Sequence, residues 1–507
     1  MKSKKIVSLL QLKKKLFNKK LKTALVHGVF DILHVGHKRY FEEAKAHADL
    51  LIVSITTDKF VNKGPSRPIF NQNLRAELLA SFEVIDYVIL SDNETAVNVI
   101  NNIKPNFYVK GKDYKNFKDD TSKNILKEKK AVEKHNGKFL ITDDISFSSS
   151  NIINNFYKPE TILNELKKLK LNTKVLNKKC LKSLIQISKL KIAIIGEIIF
   201  DEYIFSSEMD KPSKENIHVV NFKKKTEYLG GVVAVAKNLS EFCDKIEIFS
   251  TGKFTRSQKN FILSTKKNYK NINIFLENSS FQTIKKSRIL DERNKKIFEL
   301  YYKDGLHNYK ESQFFIKNLK NKLDNYDLVI MCDFGHGFFN ERIYKVILQN
   351  SKKLAINTQT NSDNRGFNLV TKYKKANLIC IDEPEIRLAL SDSLSNLDYL
   401  SKKLNNLINF EDLIITRGNS GIYVYKNKST SNKKNVSLSA FELNPVDTIG
   451  AGDAVLGIAS LLITKKSDIE VIAFLGNIFG ALATKYLGHS LNIKKNDVLK
   501  AITYSLK

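Results

Sequence analysis

The stretch Val446-Asp447-Thr448-Ile449-Gly450-Ala451-Gly452-Asp453-Ala454-Val455 decides the fold of the larger part of this chain. Two glycines separated by one small residue let backbone N–H groups turn towards an anion, and the apolar run after Asp453 can continue as a helix. The turn then lies at the helix's positive end, where phosphate binds. Asp453, beside that cradle, is where a carboxylate takes the proton from a hydroxyl as it attacks a phosphoryl group. This spacing points to a small-molecule kinase; the bland alternative is a glycine loop that merely starts a core helix, and the flanks decide between them.

Asp447 to Asp453 resembles the carboxy-terminal signature of the ribokinase-like (PfkB) sugar kinases, and Gly230-Gly231 lies upstream where that family has its glycine pair. The resemblance implies that Asp453 is the catalytic base and that the amides of Gly450, Ala451 and Gly452 form the anion hole. Working outward, a buried-strand pattern starts at Lys191-Ile192-Ala193-Ile194-Ile195-Gly196, followed by Glu197 and Asp201, and Tyr203 to Leu229 suits a small sheet laid over a site as a lid. The resemblance assigns the sugar to Asp201, Gly230, Gly231 and Asp333. Ala234 stands where the family commonly has asparagine, and Asn238 is a substitute for that contact.

Three apolar strands end in polar residues, as at the carboxyl edge of a parallel sheet: Asp327 to Gly337, Leu354 to Gln359, and Leu378 to Glu385. The last resembles the family's NxxE element, which implies that Asp382 and Glu385 hold magnesium and phosphate through water. Asn357-Thr358-Gln359 replaces an aspartate-proline-lysine turn of heptose kinases; Lys372 and Arg365 are the candidate replacements for the missing cation. Thr416, Gly418 and Gly421 match a TxGxxG nucleotide element, and Asn477 opens the match to the family's late helix beside adenine.

At the other end, Thr23-Ala24-Leu25-Val26-His27-Gly28 reads as a short buried strand, and Lys38 to Ala48 has helical spacing. Between them, His34 and His37 stand at the mouth of that helix, where two imidazoles and a helix end suit the charge of a triphosphate. A metal pair lacks a third ligand at usual spacing. Gly28-Val29-Phe30-Asp31-Ile32-Leu33-His34-Val35-Gly36-His37 resembles the GxFDxxHxGH signature of the cytidylyltransferase-like nucleotidylyltransferases. That resemblance implies phosphate contacts and transition-state stabilisation from His34, His37 and Lys63. It adds Gly28, Phe30, Asp31, Gly36, Arg67, Lys110 and the turn Ser148-Ser149-Ser150 to the nucleotide site. Lys112 stands where the similar transferase half of ADP-heptose synthases has a glycine.

The 507 residues suffice for two or three domains, and the formal charge of +31 comes from lysines spread along the whole chain, mixed with asparagine and isoleucine. Neither an arginine-rich tail nor an aromatic-basic motif accompanies them, so the charge does not point to nucleic acid. Four scattered cysteines, Cys180, Cys243, Cys332 and Cys380, argue against a zinc site or disulfide framework and fit a reducing cytoplasm. The lysine-broken start and the lack of a long apolar run lead to the expectation of a soluble protein without secretion signal or membrane contact.

The expected fold class is α/β: a Rossmann-like nucleotidylyltransferase domain over 1–157, a helical connector over 158–190, and a ribokinase-like α/β/α sandwich with a small β lid over 191–507. By resemblance to the bifunctional ADP-heptose synthases, with the halves reversed, the expected activities are phosphorylation of a sugar or sugar phosphate and nucleotidyl transfer to a sugar 1-phosphate. The expected small molecules are sugar phosphates, ATP with Mg2+ for the kinase, and ATP or CTP as nucleotidyl donor, with no direct protein-only metal site. Assembly as a homo-oligomer is left open. The rival readings are a kinase-like half that only binds sugar or regulates, and a basic nucleic-acid-associated protein.

Overall fold

Strand β1 (Thr23–Gly28) is buried along nearly its whole length, as a central parallel strand covered on both faces must be. It pairs in parallel with β2 (Leu50–Thr56) and with β4 (Phe107–Lys110), while β3 (Tyr87–Ser91) and β5 (Lys138–Ile141) close the sheet in the order β3-β2-β1-β4-β5. Alternate residues feed opposite cores: Ala24, Val26 and Val53 meet Phe41 and Leu79, and Leu25 and Ile52 meet Val99, Ile100 and Tyr108. The strand order reverses between β1 and β4. Their carboxyl ends therefore flank the crevice where an open parallel sheet binds ligands.

The computed structural model describes residues 4–17, 20–61, 67–111, 124–142, 160–169, 172–210, 217–302, 309–427, 434–442 and 445–506. Two compact units emerge, one built mainly from Met1–Leu163 and the other from Asn164–Val498. Lys63, Lys112 and Ser148, Ser149 and Ser150 lie outside the described residues. The helix Thr173–Ile187, inside the stretch read as a connector, belongs to the second unit and buries Leu176, Cys180, Leu184 and Ile187 along one face.

In chain order the second unit continues with β6 (Lys191–Gly196), β7 (Ile198–Glu208), β8 (Val220–Gly231), β9 (Lys245–Gly252), β10 (Ile272–Asn278), β11 (Ile284–Leu290) and β12 (Lys296–Tyr302). There follow β13 (Leu328–Asp333), β14 (Leu354–Thr358), β15 (Leu378–Asp382), β16 (Asp412–Thr416), β17 (Ile422–Lys426) and β18 (Asn435–Leu438). Nine of them form one sheet in the order β10-β9-β6-β13-β14-β15-β16-β17-β18, parallel as far as β16.

The remaining four make a separate sheet, β12-β11-β7-β8. The expected lid thus exists, but half of it comes from β11 and β12, well beyond the stretch that suggested it. Glycine starts the two helices that matter most: Gly231 (φ 60°) precedes Val232–Leu239, and Gly450 (φ 81°) precedes Ala451–Thr464. The second of these helices is buried from Asp453 to Ile463. No helix among the described residues is long and apolar enough to cross a membrane.

Candidate active sites

In the first unit, the helix Val35–Ala46 begins directly after β1's loop, three residues earlier than its spacing suggested, so both motif histidines stand at its head. Their rings lie 4.0 Å apart, and the backbone N–H of His34 donates to Nδ1 of His37 (3.4 Å). Phe30, held at a positive φ of 51°, turns its ring against His37 (centroids 5.6 Å apart). A Cβ on Gly28 would sit 3.1 Å from that ring, a tight contact. Gly36 lies within the helix's first turn.

Asp31 is buried and accepts from Arg67 Nε (2.7 Å) and from the backbone N–H groups of Ile69 (2.8 Å) and Phe70 (3.1 Å). It therefore orients Arg67, whose Nη2 is buried without a hydrogen-bond partner among the described residues and is available to an anion. Lys110, at the end of β4, donates to the carbonyl of His27 (3.2 Å) and pairs with buried Glu128 (3.3 Å). Glu128 in turn accepts from Ala96 N–H and the Tyr108 hydroxyl, each at 2.8 Å. Burial, with Lys110 next to it, pushes the His27 imidazole down to about 4, so it stays neutral between Ser54 and Thr56.

In the second unit Asp453 is 7 % exposed and accepts a hydrogen bond from Gln359 Nε2 at 2.9 Å. Burial and the neighbouring charge of Asp201 push its carboxyl up to about 7, against the opposing pull of Gln359 and Lys286. A group poised there is half ionised near neutrality, the condition for a general base. Asp201 pairs with Arg288 (2.5 Å) and faces His489 Nε2 at 3.7 Å. His489 also wedges against two glycines: a Cβ on Gly450 would lie 2.6 Å from its Cε1, and one on Gly230 would lie 3.3 Å from its Cδ2 and 2.0 Å from Asp201 Oδ2. Gly231 passes the Glu197 carbonyl with no room for a side chain. Asp201, Gly230, Gly450 and Asp453 are thus brought together, with His489 between the two glycine motifs. Asn238 lines a small cavity beside them, with Ala234, Lys237, Gly450 and His489, and its Oδ1 accepts from Ile493 N–H at 3.4 Å.

The lid is tied to the glycine turn through Asp447, which accepts from Tyr203 on β7 (3.1 Å), Lys296 on β12 (2.5 Å), Gly488 N–H (2.9 Å) and Ile449 N–H (3.1 Å). Asp333 ends β13 and accepts from Tyr373 (2.7 Å), Lys372 (2.5 Å) and Gly335 N–H (3.0 Å). Lys372 is accordingly committed to Asp333, and Arg365 is exposed. Neither is bonded to Asp453. The Asp333 charge and burial push Glu197 up to about 8, burial being the larger cause.

Asp382 and Glu385 cap the helix Glu383–Leu390 reciprocally: Asp382 Oδ1 accepts from Glu385 N–H (2.7 Å), and Glu385 accepts from Asp382 N–H (2.8 Å) and Thr360 N–H (2.8 Å). Burial, then the charges of Asp382 and Asp453, push Glu385 up to about 8. Such crowding of carboxylates is what a cation brought in with a nucleotide relieves, and these residues fit a water-mediated magnesium. Among the described residues no group of three or more His, Cys, Asp or Glu could by itself hold a metal ion.

Thr416 ends β16, and Gly418 and Gly421 take positive φ in the turn to β17. A Cβ on Gly421 would lie 2.0 Å from the Leu438 carbonyl oxygen. Asn477 holds the same loop from the other side, accepting from Phe441 N–H (3.0 Å) and donating to the Ser439 carbonyl (2.6 Å). Both ends of its amide are engaged within the protein.

Sequence reasoning missed four residues. Gln359, which stands where heptose kinases have a lysine, is the donor to Asp453. His489 had no signal, being a single histidine after Gly488 far from either motif. Arg75 is 1 % exposed and donates to the carbonyls of Val29, Thr56 and Phe70 and to Asp58, fixing the ends of β1 and β2. Lys286 lies on β11, one of the two lid strands that were not foreseen.

A model of the pfkB carbohydrate kinases matches residues 189–496, more than half the chain, and the chain belongs to that family. A cytidylyltransferase-like model matches residues 25–155, so the two regions follow one another in that order. The protein is thus a transferase, a carbohydrate kinase domain preceded by a nucleotidyltransferase-like one.

Among individual proteins, the chain is similar to the bifunctional protein HldE of Aliarcobacter butzleri, 46% identical over 126 residues that make up 24% of this chain and 26% of that one. The bifunctional protein HldE of Campylobacter concisus is 40% identical over 121 residues, 24% of this chain and 25% of the other. The chain spans about a quarter of the length of these curated relatives. In structure it is similar to phosphofructokinase-2 from Escherichia coli crystallised with potassium, with a TM-score of 0.50 and 12% identity, covering 63% of this chain and 100% of that one. That likeness concerns the fold.

Proposed function

We propose that this chain makes a nucleotide-activated sugar in two steps, each on its own unit. In the first, ATP phosphorylates a heptose-like sugar or sugar phosphate at the kinase site; in the second, a nucleoside monophosphate passes from ATP or CTP to a sugar 1-phosphate, with release of pyrophosphate. The observation that carries the reading is Asp453: a buried carboxyl raised to about 7, bonded by Gln359, at the head of a glycine-turned helix. The amino-terminal similarity to bifunctional HldE proteins supports the pairing with nucleotidyl transfer.

In the kinase step, Asp453 takes the proton of the sugar hydroxyl as its oxygen bonds to the γ-phosphorus and the bond to the β-γ bridging oxygen breaks, its electron pair leaving with ADP. The amides of Gly450, Ala451 and Gly452 face the growing negative charge. Asp201, Gly230, Gly231, Asn238 and Asp333 hold the sugar, and Thr416, Gly418, Gly421 and Asn477 shape the nucleotide side. Asp382 and Glu385 would hold, through water, a magnesium ion arriving with ATP, which would supply charge neutralisation.

In the transfer step the sugar 1-phosphate is already ionised at neutral pH, so the site needs no general base. It must neutralise crowded charge and align attacker with leaving pyrophosphate. His34, His37, Lys63 and Arg67 serve the phosphates, Asp31 fixes Arg67, and Gly28, Phe30, Gly36, Lys110 and Ser148 to Ser150 complete the nucleotide site. Both steps belong in the cytoplasm, on small molecules, without nucleic acid or membrane.

Ala234, Asn357 and Gln359 favour a second reading, in which the kinase-like unit binds a sugar or regulates without turnover. Purified protein given ATP, CTP, Mg2+ and a panel of sugars and sugar phosphates, heptose 7-phosphate included, separates the two. New phosphorylated sugars and nucleotide sugars by mass spectrometry support the bifunctional reading. Transfer from supplied sugar 1-phosphates alone supports the second. Asp453→Asn should stop phosphorylation and spare transfer, His37→Ala the reverse, and loss of both activities in either variant contradicts two independent sites.

A further inference from the structure

Among the described residues, and besides Lys224, which lies over the Phe205 ring, three cationic side chains sit on the lid face that carries Asp201, and two are already committed. Arg288 on β11 pairs with Asp201 (2.5 Å) and with Glu299 on β12, and Lys296 pairs with Asp447 (2.5 Å). The third, Lys286, stands directly opposite Asp201 of β7 and Tyr301 of β12 in the lid's register, so the three share one face. Its Nζ lies 4.7 Å from the centre of the Tyr301 ring. Among the described residues no carboxylate is bonded to it. The face carrying Lys286 is the one that Tyr203, two residues beyond Asp201, fastens to Asp447. Lys286 is close enough for its charge to act on Asp453, and burial pulls its own ammonium below the usual range.

The carboxylates of Asp201, Glu299 and Glu197 act on this half-buried cation as neighbouring charges, yet among the described residues none is bonded to it, which leaves its ammonium donors open to an anionic ligand. Asp453 is bonded by neutral Gln359, and its other charged neighbours, Asp201 and Glu385, are acids, with the Cys332 and Cys380 thiols nearby. A phosphoryl group placed against the Gly450 turn would add further negative charge to this acidic surround.

We propose that Lys286 binds the phosphoryl group under transfer, its ammonium donating a hydrogen bond to a phosphoryl oxygen as the lid covers the site. The lid would then be a working wall of the active site as well as a cover. This rests on the kinase reading. The bonds that form and break are those of that step: the sugar oxygen gains phosphorus, the bridging oxygen leaves with ADP, and the proton goes to Asp453. Lys286 stays protonated throughout.

The test compares wild type, Lys286→Met and Lys286→Arg with the sugar that the wild type phosphorylates. The expected result for Lys286→Met is a 10- to 100-fold fall in kcat with the KM for ATP within threefold, and partial recovery in Lys286→Arg. The acid limb of its pH–rate profile should also move up, because removing the cation makes Asp453 harder to ionise. An unchanged kcat and acid limb overturn the proposal. Should the wild type phosphorylate no sugar, the kinase reading falls by itself, and calorimetric titration with inorganic phosphate still tests Lys286. At least tenfold weaker binding by Lys286→Met supports it; equal affinity in both proteins, or none in either, overturns it.

Discussion

Replacing Asp453, the proposed base, by asparagine is expected to make the second unit more stable while it stops phosphorylation. The Asp453 carboxyl titrates at about 7 in the folded protein against an ordinary value of 3.8. Its folded pKa is raised, so the folded state favours the neutral acid, and stability is lost as pH rises from the unfolded value through the folded one. At about 1.4 kcal/mol for each pH unit of difference, the ionised carboxylate costs about 4 kcal/mol at pH 8 and less than half of that at pH 5. Asparagine keeps the shape and an oxygen for Gln359 to donate to, and it carries no charge at either pH. Urea unfolding followed by far-ultraviolet circular dichroism suits a chain without tryptophan. The variant should gain about 4 kcal/mol over wild type at pH 8, and the gain should shrink by more than half at pH 5. A variant no more stable than wild type at pH 8, or one with the same gap at both pH values, refutes the reasoning.

Other outcomes follow from the same contacts. Gln359→Leu removes the donor that holds the Asp453 carboxylate, and a hydrogen bond to a charged group of about 1.5 kcal/mol should shift the acid limb of phosphorylation up by about one pH unit. Gly450→Ala puts a methyl 2.6 Å from His489 Cε1 at a φ of +81° and should destabilise by about 2–4 kcal/mol in thermal or urea unfolding. Adding His489→Ala should relieve the clash and leave about 1 kcal/mol of backbone strain. Asp31→Ala strands Arg67 in a pair whose side chains are each 1 % exposed, and melting of the first unit should reveal a loss of about 3–5 kcal/mol together with weaker nucleotide binding.

The five-stranded and nine-stranded sheets could be anticipated because their central strands are apolar on every face and end in polar or glycine turns. β1 leads into Phe30 and the histidines, and β6, β13, β14 and β15 end at Gly196, Asp333, Thr358 and Asp382. The glycine turns were legible for a similar reason, since Gly231 and Gly450 occupy conformations that other residues resist. What escaped is side-chain bookkeeping between distant segments. Nothing around Gln359 says that its amide meets Asp453, 94 positions on. Asp382 and Glu385, expected to hold magnesium and phosphate through water, form a capping box, a role for which the same spacing suffices. Asn477, read beside adenine, holds a loop whose closeness depends on Gly421. Lys286 and His489 act through register and packing, which a lone lysine or histidine in a sequence does not announce.

The Asp447 carboxylate touches the lid through Tyr203 and Lys296 and the glycine turn through Ile449. Any excursion of the lid away from the turn therefore separates an ion pair and leaves a buried anion with two backbone donors. Such an excursion would be eased by added salt, which solvates the departing ammonium and screens the anion left behind. Access to the site would then answer to ionic strength, with hydrogen exchange in β7 and β12 quickening as salt rises while that of the nine-stranded sheet stays constant.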